Sequence, residues 1–140
     1  MTEKLHAVAL AARNRAYAPY SNFYVGAAVE MEDGTIFGGC NVENIAYPQS
    51  ICAERTAIVN AVSAGHRRLR RVYVIAEPAA APCGGCRSVI AEFSTADTEV
   101  IMANPEGQSY RMTLGALLPH AFERHETVPV VQESGPPPER

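Results

Sequence analysis

Apolar residues recur at helical spacing over residues 2–18, where Leu5, Val8, Ala9, Ala12 and Ala16 share one face and Pro19 closes the run. Thr2 stands before Glu3 as a candidate N-cap. The period then shortens. Residues 24–31 and 35–38 flank Asp33-Gly34, which predicts a β-hairpin, and Gly26-Ala27-Ala28 in its first strand predicts close approach by another element. Helical spacing returns over residues 52–64, with Ala57, Ile58, Ala61 and Val62 on the buried stripe and Gly65 as the stop. Residues 71–76 read as an apolar strand and 84–93 as a third helix. Residues 99–103 and 108–112 read as strands joined by Asn104-Pro105-Glu106-Gly107. Thr113 caps a short helix over 114–118, which Pro119 ends. Helices alternating with strands after an initial hairpin predict an α/β fold, a three-layer sandwich whose mixed five-stranded sheet carries helices on both faces.

Composition narrows this picture. The 140 residues, 47% of them hydrophobic, suffice for one domain and its core. That domain is placed at residues 1–126, because the 127–140 tail, with Ser134-Gly135-Pro136-Pro137-Pro138, is too polar and proline-rich to pack. A net charge of −3 and a pI near 5.8 argue against nucleic acid or an anionic membrane as partner and favour a small polar substrate. The local exception, His66-Arg67-Arg68-Leu69-Arg70-Arg71, is read as a solvated helix end whose cations complement the dipole. The first residues lack a signal-peptide layout and no apolar run is long enough to span a bilayer, so a soluble, cytoplasmic protein with reduced cysteines is expected.

The cysteines carry the chemistry. Cys83 and Cys86 have the C-x-x-C spacing by which two thiolates from one turn grip a metal, and Cys52 can add a third sulfur. Both clusters fall at helix N-termini, where backbone N–H groups and the dipole favour thiolate over thiol. Three ligands leave tetrahedral Zn²⁺ an open position for water, and Glu54 is the nearest group to move that water's protons. Blander readings exist for each residue. The C-x-x-C pair alone suits inert core thiols or redox use, and Cys40 as a fourth ligand would make a closed structural site in a binding module. Glu54 alone suits a first-turn dipole partner, Asn41 and Glu43 suit loop and cap roles, and Phe23 and Phe122 suit the core. His6, His66, His120 and His125 lack ligand spacing and read as surface residues.

Taken together, the motifs resemble those of cytidine deaminases of the small, homotetrameric, three-cysteine zinc type. The resemblance runs from about Arg15 to Phe122. It rests on Tyr17-Ala18-Pro19-Tyr20-Ser21-Asn22-Phe23 with Val25-Gly26-Ala27-Ala28, Gly39-Cys40-Asn41-Val42-Glu43-Asn44, Cys52-Ala53-Glu54-Arg55-Thr56-Ala57, the Pro-Cys-Gly-x-Cys-Arg stretch ending at Arg87, and Leu117-Leu118-Pro119-His120-Ala121-Phe122. It implies one Zn²⁺ per subunit on Cys52, Cys83 and Cys86, with Glu54 as proton shuttle in converting cytidine and deoxycytidine to uridine and deoxyuridine, the chemistry general to zinc deaminases. It implies further that Arg55 hydrogen-bonds the sulfurs, that Asn41 and Glu43 hold ribose hydroxyls, and that Tyr47 lies near the same pocket. Backbone groups of Ala53 and Ala81 would read the pyrimidine edge, Phe23 would pack on the base, and Phe122 would reach a neighbouring subunit's site. Ser88 departs from the family, which usually has Gln there. The rival enzymatic readings are a deaminase of a modified nucleoside such as blasticidin S and, against the acidic charge, one acting on RNA.

Overall fold

The computed structural model describes residues 2–122; the expected tail, the boundary at 126 and His125 lie outside them. The elements are α1 (Glu3–Arg13), β1 (Gly26–Met31), β2 (Ile36–Cys40), a 3₁₀ turn (Tyr47–Gln49), α2 (Ala53–Ser63), β3 (Leu69–Ile75), α3 (Gly84–Glu92), β4 (Glu99–Ala103), β5 (Ser109–Thr113) and α4 (Leu114–Leu117). The five strands form one sheet in the order β2-β1-β3-β4-β5. Only β3 and β4 run parallel, joined through α3, so the sheet is mixed as expected.

Strand alternation sorts the core into two layers. Ala27, Val29, Met31, Val72, Val74, Val100 and Met102 face α2 and α3, where Ala57, Ile58, Ala61 and Ile90 meet them. Ala28, Tyr73, Ile75, Ile101 and Ala103 face α1 through its buried Leu5 and Ala9. The architecture is therefore the three-layer sandwich. Each fully buried Ile or Val contributes roughly 1.5–3 kcal/mol relative to exposure.

Two glycines let helix backbones lie directly on the sheet. A Cβ at Gly26 would stand 2.0 Å from the Ala9 carbonyl oxygen, and one at Gly39 would stand 2.3 Å from the Ala57 nitrogen. Gly26 thus seats α1, and Gly39 seats α2, the helix whose N-cap is Cys52.

Local differences from the sequence reading have local causes. Helix α1 stops at Arg13 rather than near Ala18, because Tyr17 is drawn into a bridge with Val42. Its N–H donates to the Asn41 carbonyl at 3.0 Å and its carbonyl accepts from the Glu43 N–H at 2.8 Å. Thr2 accepts from the His6 N–H through its carbonyl at 2.9 Å, and its side chain makes no cap. The basic run is only partly a helix end. Arg67 Nη1 donates to the Val62 carbonyl at 2.8 Å, but Leu69, Arg70 and Arg71 open β3, and Arg71 pairs with both oxygens of buried Glu30. His6 is half-buried, with Nδ1 2.9 Å from the Tyr73 hydroxyl, while His66 sits edge-on to Phe37. Thr113 caps α4 as expected, its hydroxyl accepting from the Ala116 N–H at 3.2 Å.

Candidate metal centre

Cys52 and Cys83 are the N-cap residues of α2 and α3, both in extended conformation, and Cys86 lies in the first turn of α3. The two helix N-termini therefore converge, and the three Sγ atoms lie within 4.8 Å of one another. The Cys52 and Cys83 sulfurs are 3.9 Å apart. Sulfurs bound to one tetrahedral zinc at about 2.3 Å stand about 3.8 Å apart, so the spacing fits that ion. Cys83 Sγ also accepts from the Cys86 N–H at 3.4 Å, which fixes its rotamer. Among the described residues no other group of three or more metal-ligating side chains converges. Cys40 ends β2 in a groove between α1 and α2 with Thr56 and Asn60, away from the trio; it is half-buried, and no fourth sulfur closes the site.

Charge within the cluster favours metal over a neutral thiol set. Hydrogen bonding from Cys86, aided by Cys83 and the Arg55 charge, brings Cys52 down to about 6. Cys86 moves upward, because it donates to Cys52 and is buried. The Arg55 guanidinium is held in its charged form chiefly by hydrogen bonding to the Cys86 sulfur, and its Nε is buried without a partner. A fixed cation beside three sulfurs offsets the negative charge they would place on a dication.

Glu54 follows Cys52 by two residues and is only 5% exposed. Burial lifts its carboxyl to about 7, the Cys52 thiolate adds to the rise, and Arg55 opposes it. A dication on the sulfurs would draw it down. The carboxyl thus has access to both protonation states near neutrality, as a proton carrier requires.

Glu54, Cys52 and Cys83 share the wall of a pocket of about 200 Å³ with Phe23, Asn41, Ala53 and Ala81. That is below the range of drug-sized pockets and suits a single aromatic ring. Val25, Val74, Ala76 and Ala80 complete the apolar lining; as ordinary apolar residues they were given no site role in the sequence reading. Asn41 is braced by its neighbours, with Oδ1 accepting from the Val25 N–H at 2.9 Å and Nδ2 donating to the Phe23 carbonyl at 2.8 Å.

Glu43 and Tyr47 lie apart from this pocket, lining a groove with Tyr20, Ser21 and Ser50. Glu43 Oε1 accepts from the Tyr20 and Ser21 N–H groups at 3.0 and 3.1 Å, and Oε2 accepts from the Ser21 hydroxyl in a very short bond. The Ser21 hydroxyl leads these contacts in holding the carboxyl below its ordinary range. Phe122 is fully exposed and does not enter the pocket of its own chain. Ser88 is exposed on α3. Arg87, given no separate role in the sequence reading, donates from Nε to the Pro82 carbonyl and from Nη1 to the Leu117 carbonyl, both at 2.8 Å, tying the Cys83 loop to the end of α4.

Residues 1–103 match the family described as "Cytidine and deoxycytidylate deaminase zinc-binding region". A cytidine deaminase of Sporosarcina psychrophila is 48% identical over 126 residues, covering 89% of this chain and 93% of its own. One from Halalkalibacterium halodurans is 46% identical over 116 residues, covering 81% of this chain and 88% of its own. The crystal structure of cytidine deaminase from Burkholderia pseudomallei superposes with a TM-score of 0.82 at 44% identity, covering 87% of this chain and 99% of that one. Similarity at this level over most of both chains, spanning the residues that bring the three sulfurs together, shows that the chain belongs to the cytidine and deoxycytidylate deaminase family of zinc-binding proteins.

Proposed function

We infer that this chain deaminates cytidine and deoxycytidine hydrolytically, giving uridine or deoxyuridine and ammonia. The observation that carries the reading is a buried carboxyl, Glu54, in one ring-sized pocket with two of the three converging sulfurs. Relatives named as cytidine deaminases support the substrate.

Cys52, Cys83 and Cys86 would hold the zinc ion. When bound, zinc supplies a Lewis acid that lowers the pKa of a ligated water to about 7 in open catalytic sites. The protein's own groups do the rest. Phe23 packs on the pyrimidine. The Ala53 N–H, at the first position of α2, has no acceptor within the helix and is free to meet the pyrimidine edge, and the carbonyl of Ala81, which lines the same pocket, takes a proton of that edge. Glu54 takes a proton from the attacking water and places it on ring N3, then takes the remaining proton from the new C4 hydroxyl and delivers it to the amine that leaves C4. One water is consumed and one ammonia released. Arg55 moderates the charge of the sulfurs, and Asn41 and Glu43 take the ribose hydroxyls, each with the lone pairs or proton its internal hydrogen bonds leave over.

The same reading places residues 1–126 in one catalytic domain that works in the cytoplasm as a homotetramer with shared sites. Phe122 and the segment bearing Val42, Ile45, Tyr47 and Ile51 expose apolar side chains that further copies would cover. No helix among the described residues is long and apolar enough to cross a membrane.

The test is ammonia release from cytidine, deoxycytidine, free cytosine and blasticidin S in parallel, with the molar mass measured by light scattering. Turnover of both nucleosides but not cytosine, by a tetramer, is expected. Silence on both nucleosides from folded, zinc-loaded protein, or turnover of blasticidin S alone, overturns the substrate. A fully active monomer overturns the shared site.

A further inference from the structure

Among the described residues, the ring-sized pocket and the groove of Glu43 and Tyr47 share no lining side chain, yet hydrogen bonds join them. Glu43, in the groove, is the acceptor at one end. Its Oε1 takes the Tyr20 and Ser21 N–H groups at 3.0 and 3.1 Å, and its Oε2 takes the Ser21 hydroxyl in a very short bond. A carboxylate has about four lone-pair sites, so the one left over lies on Oε2, the oxygen that Ser21 already holds. The Ser21 oxygen in turn accepts the Phe23 N–H at 3.0 Å. Asn22 makes this return possible by taking φ 56°, a left-handed conformation that asparagine tolerates. On the other side, the Phe23 carbonyl accepts from Asn41 Nδ2 at 2.8 Å. Both peptide groups that flank the pocket's aromatic ring are therefore held by side chains, and the hold on its N–H runs through one hydroxyl to Glu43.

We propose that Ser21 is a positioning residue through which the sugar sets the place of the base: a sugar hydroxyl on Glu43 Oε2 acts through the Ser21 hydroxyl on the Phe23 N–H, and so on the ring that packs against the pyrimidine. The proposal rests on the nucleoside deaminase reading above and adds the residue that joins its two subsites. A hydroxyl that donates to a carboxylate becomes a better acceptor for the N–H behind it, because hydrogen bonds in a chain polarise one another. A second donor on Oε2 competes with Ser21 for that oxygen, so filling the sugar site is felt at Phe23. The chain gives a sugar requirement a physical cause: free cytosine fits the ring pocket but leaves Oε2 to Ser21 alone.

A serine that only shaped the turn at 19–22 would, when lost, weaken every ligand alike. The experiment compares wild type, Ser21→Ala and Ser21→Thr, all zinc-loaded and folded by circular dichroism, on cytidine and on 2′,3′-dideoxycytidine, which lacks the hydroxyls that Glu43 would take. Rates are read in single turnovers at excess enzyme, so that a slow substrate can be followed. Ser21→Ala keeps both N–H bonds to Oε1, so the carboxylate stays in place and the link to Phe23 is what is cut. With cytidine the rate should fall about tenfold, within the range for members of one hydrogen-bonded network, and Ser21→Thr should restore it. With the dideoxy nucleoside the same substitution should change the rate less than about twofold, as for groups that no longer interact. A second readout needs no turnover. In isotope-labelled protein the Phe23 amide resonance should move further with uridine than with 2′,3′-dideoxyuridine, which presents the same base, and Ser21→Ala should abolish the difference. Equal losses on the two substrates, or a wild-type Phe23 amide that answers the two uridines alike, overturns the proposal. A uridine-specific shift in wild-type protein that leaves cytidine unconverted would sink the deaminase reading and leave the coupling standing.

Discussion

Substituting Gly39 by alanine tests how the sheet holds the site. The added Cβ would lie 2.3 Å from the Ala57 nitrogen, 2.8 Å from the Ala57 Cα and 2.8 Å from the Thr56 carbonyl carbon. Ordinary contact begins at 3.4 Å, so relief requires a shift of about 3.4 − 2.3 Å, close to 1 Å. All three atoms are backbone of α2, so no rotamer change can supply it and the helix must lift. Overpacking of this kind costs about 1–3 kcal/mol, and a collision with backbone belongs at the upper end. At about 2.1 cal/mol/K per residue, 140 residues give an unfolding entropy near 0.3 kcal/mol/K, so ~3 kcal/mol lowers Tm by about 10 °C. Cys52 and Glu54 ride on α2 while Cys83 and Cys86 belong to α3, so the lift opens the sulfur trio and moves the carboxyl. A misplacement of about 1 Å at a reacting centre costs on the order of 10²-fold in rate. Melting followed by circular dichroism, with kcat/KM on cytidine below the new Tm, reads both effects. A Gly39→Ala protein with the parent's melting temperature and turnover would refute the claim that backbone contact at Gly39 sets the position of α2.

Three further outcomes are expected. Arg71→Ala leaves Glu30, 8% exposed, with Arg70 at 3.8 Å as its one remaining ion-pair partner among the described residues, and should lower stability in urea by about 3 kcal/mol while kcat/KM stays the same. A loss under 1 kcal/mol would show that the pair is not needed. Because the folded Glu43 carboxyl sits below its ordinary range, what it contributes to the turn at 19–22 is complete above the unfolded-state pKa and is lost as pH falls through the folded one. KM should therefore rise on the acid side, and Ser21→Ala, which removes the leading contact, should move that rise to higher pH; an unmoved acid limb would separate Glu43 from substrate binding. Removing metal with dipicolinate should abolish turnover and lower Tm, and added zinc should restore both. Retained activity in metal-depleted protein would contradict the three-sulfur site.

The periodicity of apolar residues was enough to read the layers. Each strand of the sheet and each helix beneath it can be recognised from spacing, since a half-buried strand and an amphipathic helix impose different repeats. The sulfur trio was equally readable, because Cys83-x-x-Cys86 is local and Cys52 opens the helix that carries Glu54. What spacing misses is decided by partners distant in sequence. The end of α1 depends on Tyr17 bridging to Val42, and the start of β3 on Arg71 meeting Glu30 across the sheet. Arg87 looked like an ordinary helix residue until its two backbone acceptors, one in the metal loop and one thirty residues on, were in view. Asn41 and Glu43 were singled out for hydroxyl binding, yet each first serves to brace a loop, a use that no local pattern announces. The exposure of Phe122 is the complement of these cases: among the described residues nothing covers it.

The central claim is that Glu54 moves the protons at a zinc site built from Cys52, Cys83 and Cys86. Its most direct test is Glu54→Gln, which keeps the shape of the buried side chain and removes its ability to carry a proton. Zinc content, melting temperature and cytidine turnover are measured on one preparation. The account predicts one zinc per chain, a fold as stable as the parent or more so once a buried carboxyl is neutral, and kcat lower by at least about 10²–10⁴-fold. A zinc-loaded Glu54→Gln protein that turns over cytidine at the parent's rate would contradict it.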